Sequence, residues 1–391
     1  MTGQNLLKIH VLNTIVSGKL LRLYAIGLAL TVSAAGLVLH SLGVTAGGER
    51  YAGGVIARLL PKKNPAAPPV ALVTIRDLGK QGWPWPNLDY AVFLSAIAEF
   101  KPAVVALAVP LEAGVADYQI YDAQLAKQLH RFERVTLLPG APAAIAAAAK
   151  SAPAPLLPDA DGEVRRVPLI VSAGGQVIPA FVLQTYLQYL GADWQKSIVT
   201  AGAIVLRDAA GRDLARIPVD RDGCLRLHGA GQVQAAEFYQ LVISAEQLRN
   251  NLAPILDPAI VSGKILLVGA EAAGAFQPVN RGGPAPVRLL YQALNDLFAA
   301  DFTRPVSDEW LLAALLLTTL TASQLALLKN PGVSAALALL MLCVIVTVSV
   351  WLLTERQLSA PIVTLSVGIV LTWALAVAFK TLAQSRQAAK N

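Results

Sequence analysis

The chain has 391 residues, of which 55% are hydrophobic and 15% charged, with a mean hydropathy of +0.54. That balance is too apolar for an ordinary soluble protein. A formal net charge of +7 invites a nucleic-acid partner, but no basic helix and no Lys/Arg cluster with interleaved aromatics accompanies it, so none is expected.

Residues 1–19 read as a cytoplasmic N-terminus and 20–44 as a first membrane span. The apolar run from Leu23 to Val44 exceeds the usual core of a cleaved signal peptide, which favours the span. Lys8, Lys19 and Arg22 precede or begin it, so the positive-inside rule places the N-terminus in the cytoplasm. Ala46 to Pro69 form an entry: Glu49-Arg-Tyr and Arg58-Leu-Leu-Pro-Lys-Lys suggest a short amphipathic helix, and Asn64-Pro-Ala-Ala-Pro-Pro a stiff linker.

An alternation of strands and helices follows. Val70 to Ile75 reads as a buried strand, Leu88 to Phe100 as a helix with Asn87 as N-cap, and Ala103 to Val109 as a strand. Tyr118 to Phe132 reads as a helix and Arg134 to Leu138 as a third strand. This order implies parallel pairing through right-handed crossovers, hence an α/β domain. Ala141 to Pro155 reads as a low-complexity Ala/Pro loop with too little side-chain mass to pack.

Asp159-Ala-Asp-Gly is a hairpin signal, and Gly174-Gly175 marks a second turn. Pro179 to Leu190 is a helix with Phe181, Val182, Leu183, Tyr186, Leu187 and Leu190 at apolar helical spacing. Ile198 to Leu206, Gly211-Arg-Asp, Ile217-Pro-Val and Leu225-Arg-Leu look like antiparallel additions to a mostly parallel sheet. Ser244-Ala-Glu-Gln offers a capping box for a helix ending at Asn250-Asn251, Lys264 to Val268 is the last buried strand, and Val287 to Ala300 a closing helix.

The domain would thus occupy 45–307, with spans at 308–328, 333–353 and 361–380 and a tail at 381–391. Each span approaches the roughly 20 apolar residues needed to cross hydrocarbon. Counting crossings from the N-terminus places Lys329, Lys380, Arg386 and Lys390 inside, in agreement with the charge rule. Gln324 is the notable polar group within a span, and helix contact explains it. Cys343 lies within a span and Cys224 is alone outside, so no disulfide within the chain is expected.

Three stretches carry a family resemblance: Gly82-Trp-Pro-Trp-Pro, Pro158-Asp-Ala-Asp-Gly-Glu-Val-Arg-Arg-Val-Pro-Leu, and Gly263-Lys-Ile-Leu-Leu-Val-Gly-Ala-Glu-Ala-Ala-Gly followed by Ala293-Leu-Asn-Asp-Leu-Phe-Ala-Ala-Asp-Phe-Thr-Arg-Pro. In that order, with one span before and three after, the chain resembles the second class of CHASE domains, extracytoplasmic sensory domains of bacterial receptors. The resemblance implies a bacterial inner-membrane protein; the counted crossings put both termini in the cytoplasm and the large domain outside, which is the periplasm in a cell with two membranes. It also makes a homodimer an expectation. The sequence ends soon after the last span, so a stand-alone form without an effector is expected. The family's acidic cluster after the first strand and its Asp in the second are replaced here by Ile75-Arg-Asp-Leu and Ala106-Leu-Ala-Val-Pro.

Ligands of an open parallel sheet sit beyond the carboxyl ends of its strands. The candidate ligand residues are therefore Arg76, Asp77, Glu112 and Glu271, with Trp83 and Trp85 as covering aromatics or core. No catalytic role, cofactor or metal is expected. Gly269-Ala-Glu-Ala-Ala-Gly lacks the middle glycine of a dinucleotide fingerprint, Asp159 and Asp161 fall in a turn, and His10, His40, His130 and His228 stand apart. Two roles remain: a scaffolding subunit that docks membrane or periplasmic proteins, favoured by the depleted acidic crevice, or a receptor subunit signalling to a separate effector.

Overall fold

A computed structural model describes residues 3–59, 69–76, 85–111, 119–159, 162–200, 202–227, 235–271, 286–300, 302, 304–356 and 358–388. The chain divides into two compact units, Met1–Leu60 with Thr303–Asn391, and Pro61–Phe302.

In chain order come α1 (Gly3–Ser41), α2 (Ala46–Leu59), β1 (Val70–Ile75), α3 (Asn87–Ile97), β2 (Val104–Ala108), α4 (Gln119–Leu129), β3 (Val135–Leu137), α5 (Ala143–Ala146) and β4 (Lys150–Ser151). Next are β5 (Arg166–Pro168), β6 (Ile170–Ala173), β7 (Gln176–Pro179), α6 (Phe181–Leu190), β8 (Asp193–Thr200), β9 (Ala203–Arg207), β10 (Asp213–Pro218) and β11 (Cys224–Arg226). The last are β12 (Ala235–Glu237), α7 (Phe238–Arg249), β13 (Ile265–Ala270), α8 (Pro286–Ala299), β14 (Arg304–Pro305), α9 (Asp308–Ala326), α10 (Pro331–Arg356), β15 (Leu358–Ser359) and α11 (Ile362–Ala388).

The unit Pro61–Phe302 is built on a six-stranded sheet of order β12-β1-β13-β2-β3-β4, every neighbouring pair parallel. The crossovers β1 to β2, β2 to β3 and β12 to β13 all move the same way across it. Right-handed crossovers made in one direction land on one face. Accordingly α3, α4 and α7 bury Phe93, Leu125 and Phe238 with Val73, Ile75, Leu107 and Val268 on that face. The alternate residues Val70, Leu72, Ala106 and Leu267 face α6, α8 and the antiparallel strands. Burial on both faces explains why these strands read as continuous apolar runs.

β8, β9 and β10 form an antiparallel sheet, and β11 pairs antiparallel with β5. Gly174 and Gly175 turn the β6–β7 hairpin with φ of 57° and 78°, a conformation that favours glycine at both central positions.

Four local expectations are corrected. Pro86, not Asn87, holds the N-cap of α3, and Asn87 lies inside the helix with its Nδ2 donating to Asp122 Oδ1 at 2.5 Å. The Ala/Pro stretch does pack: Ile145 is fully buried and Lys150–Ser151 form the sheet's sixth strand, since small residues let the chain lie close along an edge. The Asp159 turn folds back on itself, with Gly162 N–H on Asp159 C=O at 2.8 Å and Asp159 N–H on Glu163 C=O at 2.9 Å, but β5 beyond it pairs with β11 and not with a strand before the turn. Ser244 begins no helix. It lies buried inside α7, which starts at Phe238 behind a capping box of Glu237 and Gln240 and buries Phe238 and Leu241, and its Oγ accepts from Leu256 N–H at 3.0 Å.

In the other unit, α1, α9, α10 and α11 are each long and apolar enough to cross a membrane. Ser33 Oγ and Thr319 Oγ1 share a buried hydrogen bond at 2.7 Å between α1 and α9, among the small residues Ala25, Ala29 and Ala322. Small side chains and interhelical hydroxyl bonds hold helices together where lipid offers no hydrophobic driving force. Trp373 Nε1 donates to Ser334 Oγ at 2.9 Å, joining α11 to α10. Gln324 is exposed, its Nε2 lying 3.5 Å from Ser323 Oγ.

Candidate ligand crevice

β1 leads towards α3 on one face of the sheet, whereas its neighbour β13 leads towards α8 on the other. Where adjacent strands part in this way, a crevice opens beyond their carboxyl ends. The residues of β1 and β13 are uncharged and buried, so along these two strands charge first emerges one step past the end.

Arg76 follows β1, Glu237 ends β12 and Glu271 follows β13, and the parallel register sets Thr74 beside both Glu237 and Gly269. Arg76 Nη1 donates to Glu237 Oε1 at 3.1 Å and Nε to Glu271 Oε2 at 3.2 Å. Arg288, in the first turn of α8, donates through Nε to the other oxygen of Glu271 at 2.6 Å. Two guanidiniums therefore share one carboxylate, charge-assisted contacts of the stronger kind. Glu271 is the least exposed of the four at 14%, against 53% for Arg76, and acts as the hub.

Gly269 makes this approach possible. A Cβ there would lie 2.4 Å from Val287 Cγ2 and 3.4 Å from the Ala108 carbonyl oxygen. The bare backbone lets α8 start directly over the strand end and so delivers Arg288 to Glu271.

Beside the ion pairs is a cleft of about 200 Å3 lined by Thr74, Ile75, Arg76, Glu237, Phe238 and Tyr239. Thr74 Oγ1 is buried without a hydrogen-bond partner among the described residues. Trp85 is buried at the same end of the sheet, its ring 5.2 Å from Phe238 and 5.8 Å from Tyr239, so it packs as core behind the cleft wall. Burial, with the charge of Asp89 adding to it, pushes the neighbouring Tyr90 hydroxyl far above its ordinary range and keeps it protonated.

Of the candidate residues, Arg76 and Glu271 are brought into contact and Trp85 is placed nearby, whereas Asp77, Trp83 and Glu112 lie outside the described residues. Glu237 and Arg288 were not singled out from the sequence. β12 has only three residues before α7 begins, too few to show a period, and Arg288 is one basic residue in an amphipathic helix. Arg165 and Arg166 serve turns instead: Arg165 pairs with Asp159 at 3.1 Å, and Arg166 with Asp220 and Asp222 at 2.9 and 3.1 Å. Among the described residues, no group of three His, Cys, Asp or Glu side chains is placed to hold a metal ion.

Comparison with known families decides what this architecture is. The CHASE2 domain model matches residues 29–325, from within α1 to within α9. The chain belongs to the CHASE2 domain family. No curated protein and no solved structure matches it significantly. The CHASE2 sensory domain, together with four helices apolar enough to cross a membrane, makes this a membrane sensor-like protein.

Proposed function

We propose that this CHASE2 protein is a non-catalytic receptor subunit that binds a small molecule in the crevice at the carboxyl ends of β1, β12 and β13 and signals to a separate cytoplasmic effector. The reading places the large domain in the periplasm, the four helices in the inner membrane and both termini in the cytoplasm. The observation that carries it is the cleft at the strand ends, where Ile75, Phe238 and Tyr239 form a largely apolar wall beside the Arg76–Glu237 ion pair and the Thr74 hydroxyl has no partner among the described residues. Replacement of the family's acidic cluster argued for a docking role; Glu237 and Glu271 supply two carboxylates at the ends of β12 and β13, the strands on either side of β1.

Among the described residues the four paired charges sum to zero, two arginines against two glutamates. A neutral, dipolar crevice is complementary to a small zwitterion, whose cation and anion can replace one ion pair without leaving a charge unpaired. The test is a thermal-shift screen of the full-length protein in detergent with free amino acids and short betaines. A stabilising zwitterion is expected for the wild type, and Arg76→Ala should abolish its effect. Equal shifts in both proteins, or none in either, would count against the crevice.

A second reading, the protein-docking subunit, has its own observation. The packed helices α3 and α7 each present an exposed apolar pair four residues apart, Leu88 with Val92 and Tyr239 with Ile243. A second copy or another membrane or periplasmic protein would cover such a face. Mass determination of the tagged protein with and without Val92→Asp and Ile243→Asp distinguishes a docked assembly from a lone subunit.

A further inference from the structure

Two stretches join the sensory unit to the membrane helices: α2 on the way in and β14 on the way out. Both are tied to the same short segment, the turn between α10 and α11. β14 pairs in parallel with β15 in that turn, Arg304 beside Leu358 and Pro305 beside Ser359, and Val306 N–H donates to the Ser359 carbonyl at 3.2 Å.

α2 holds the far side of the turn through Glu49. Its carboxylate accepts the Val363 N–H at 3.1 Å, the Thr364 N–H at 2.7 Å and the Thr364 hydroxyl at 2.9 Å. The first N–H groups of a helix have no partner within it, and an anion at that end also meets the positive pole of the helix dipole. A helix ordinarily meets this need with a local side chain at its N-cap. α11 begins immediately after Pro361, which has no side-chain acceptor, so the cap comes from a residue 314 positions away.

The surroundings fit a seated cap. Thr364 is buried, Thr45 Oγ1 lies 3.0 Å from Thr364 Oγ1, and His40 Nδ1 lies 3.4 Å from each of these two hydroxyls. A Cβ at Gly48 would come within 3.3 Å of Val363 Cγ1, so α2 lies hard against the first turn of α11.

We propose that the α10–α11 turn is the junction through which the sensory unit acts on the membrane helices. The entering connector supplies the cap of α11 and the departing connector supplies a strand partner for the turn, so a movement of either connector loosens the start of α11. The inference rests on the signalling reading for what is transmitted, but the clamp itself does not depend on any ligand.

The test is hydrogen exchange of the full-length chain in lipid nanodiscs. Glu49→Ala should speed exchange at Val363 and Thr364 by roughly tenfold or more, the loss of charge-assisted hydrogen bonds. It should also speed exchange at Val306, which Glu49 does not touch. Acceleration confined to Val363 and Thr364 would make Glu49 a simple cap and overturn the junction. Should Glu49→Ala fail to fold, a second variant decides: Thr45→Cys with Thr364→Cys, in a background of Cys224→Ser and Cys343→Ser. A disulfide under mild oxidation, with slowed exchange at Val306, supports the clamp; no disulfide, or a disulfide without that slowing, overturns it. Since no ligand is added, failure here is separate from failure of the crevice screen.

Discussion

Arg76 Nε donates to Glu271 Oε2 at 3.2 Å, joining residues 195 positions apart at the ends of adjacent strands. The two side chains are unequal partners. Arg76 is half exposed and rests on two carboxylates, whereas Glu271 is largely buried and carries two guanidiniums. Arg76→Ala should therefore cost less than about 1 kcal/mol of stability, as exposed pairs do. Glu271→Ala, which strands Arg288, should cost about 1.5–3 kcal/mol. Denaturant unfolding followed by tryptophan fluorescence checks this order.

Gly269→Ala should destabilise the sensory unit by about 1–3 kcal/mol, because the added methyl overlaps Val287 in a packed layer. Adding Val287→Ala to Gly269→Ala removes the colliding branch. The double variant should recover part of the loss, so the two changes should be clearly non-additive in a double-mutant cycle.

Burial first, and then the charge of Asp220, push the Cys224 thiol up to about 12 from its ordinary value near 9. At pH 8 this leaves roughly a thousandth of the usual thiolate, so native Cys224 should resist aromatic disulfide reagents until the chain unfolds. A thiol that stays protonated longer in the folded chain than in the unfolded one removes stability as pH rises. Unfolding midpoints should therefore fall between about pH 9 and 12, and Cys224→Ser should flatten that decline.

In the membrane unit, Ser33→Ala removes one partner of the buried bond to Thr319, which keeps a contact with the Ala29 carbonyl at 3.4 Å. The expected loss is modest, about 0.6 kcal/mol. Thr319→Val should cost no less, and steric trapping in bicelles would measure both.

The parallel sheet was legible because its strands are short apolar runs spaced by helices, and the spans because charge is confined to their ends. Arg76 and Glu271 were legible because the residue after a buried strand must emerge at its carboxyl end. Glu237 was not, since β12 is too short to show a pattern and its neighbours Ala235 and Ala236 are equally at home in a helix. The α7 start was misplaced for the related reason that Ser244-Ala-Glu-Gln matches a cap locally, while the helix takes the earlier capping box of Glu237 and Gln240, which lets Phe238 and Leu241 bury. The tie between Glu49 and Thr364 could not be read at all, because nothing local in either segment names a partner more than 300 residues away.

The most direct test of the receptor account is hydrogen exchange of the full-length protein with and without a saturating pool of zwitterionic amino acids. Slower exchange is expected at Glu271 N–H, which donates to the Ile75 carbonyl at 2.9 Å, and at the start of α7 after Glu237, in the wild type but not in Arg76→Ala. Protection elsewhere, or the same protection in the variant, would contradict a ligand site at these strand ends.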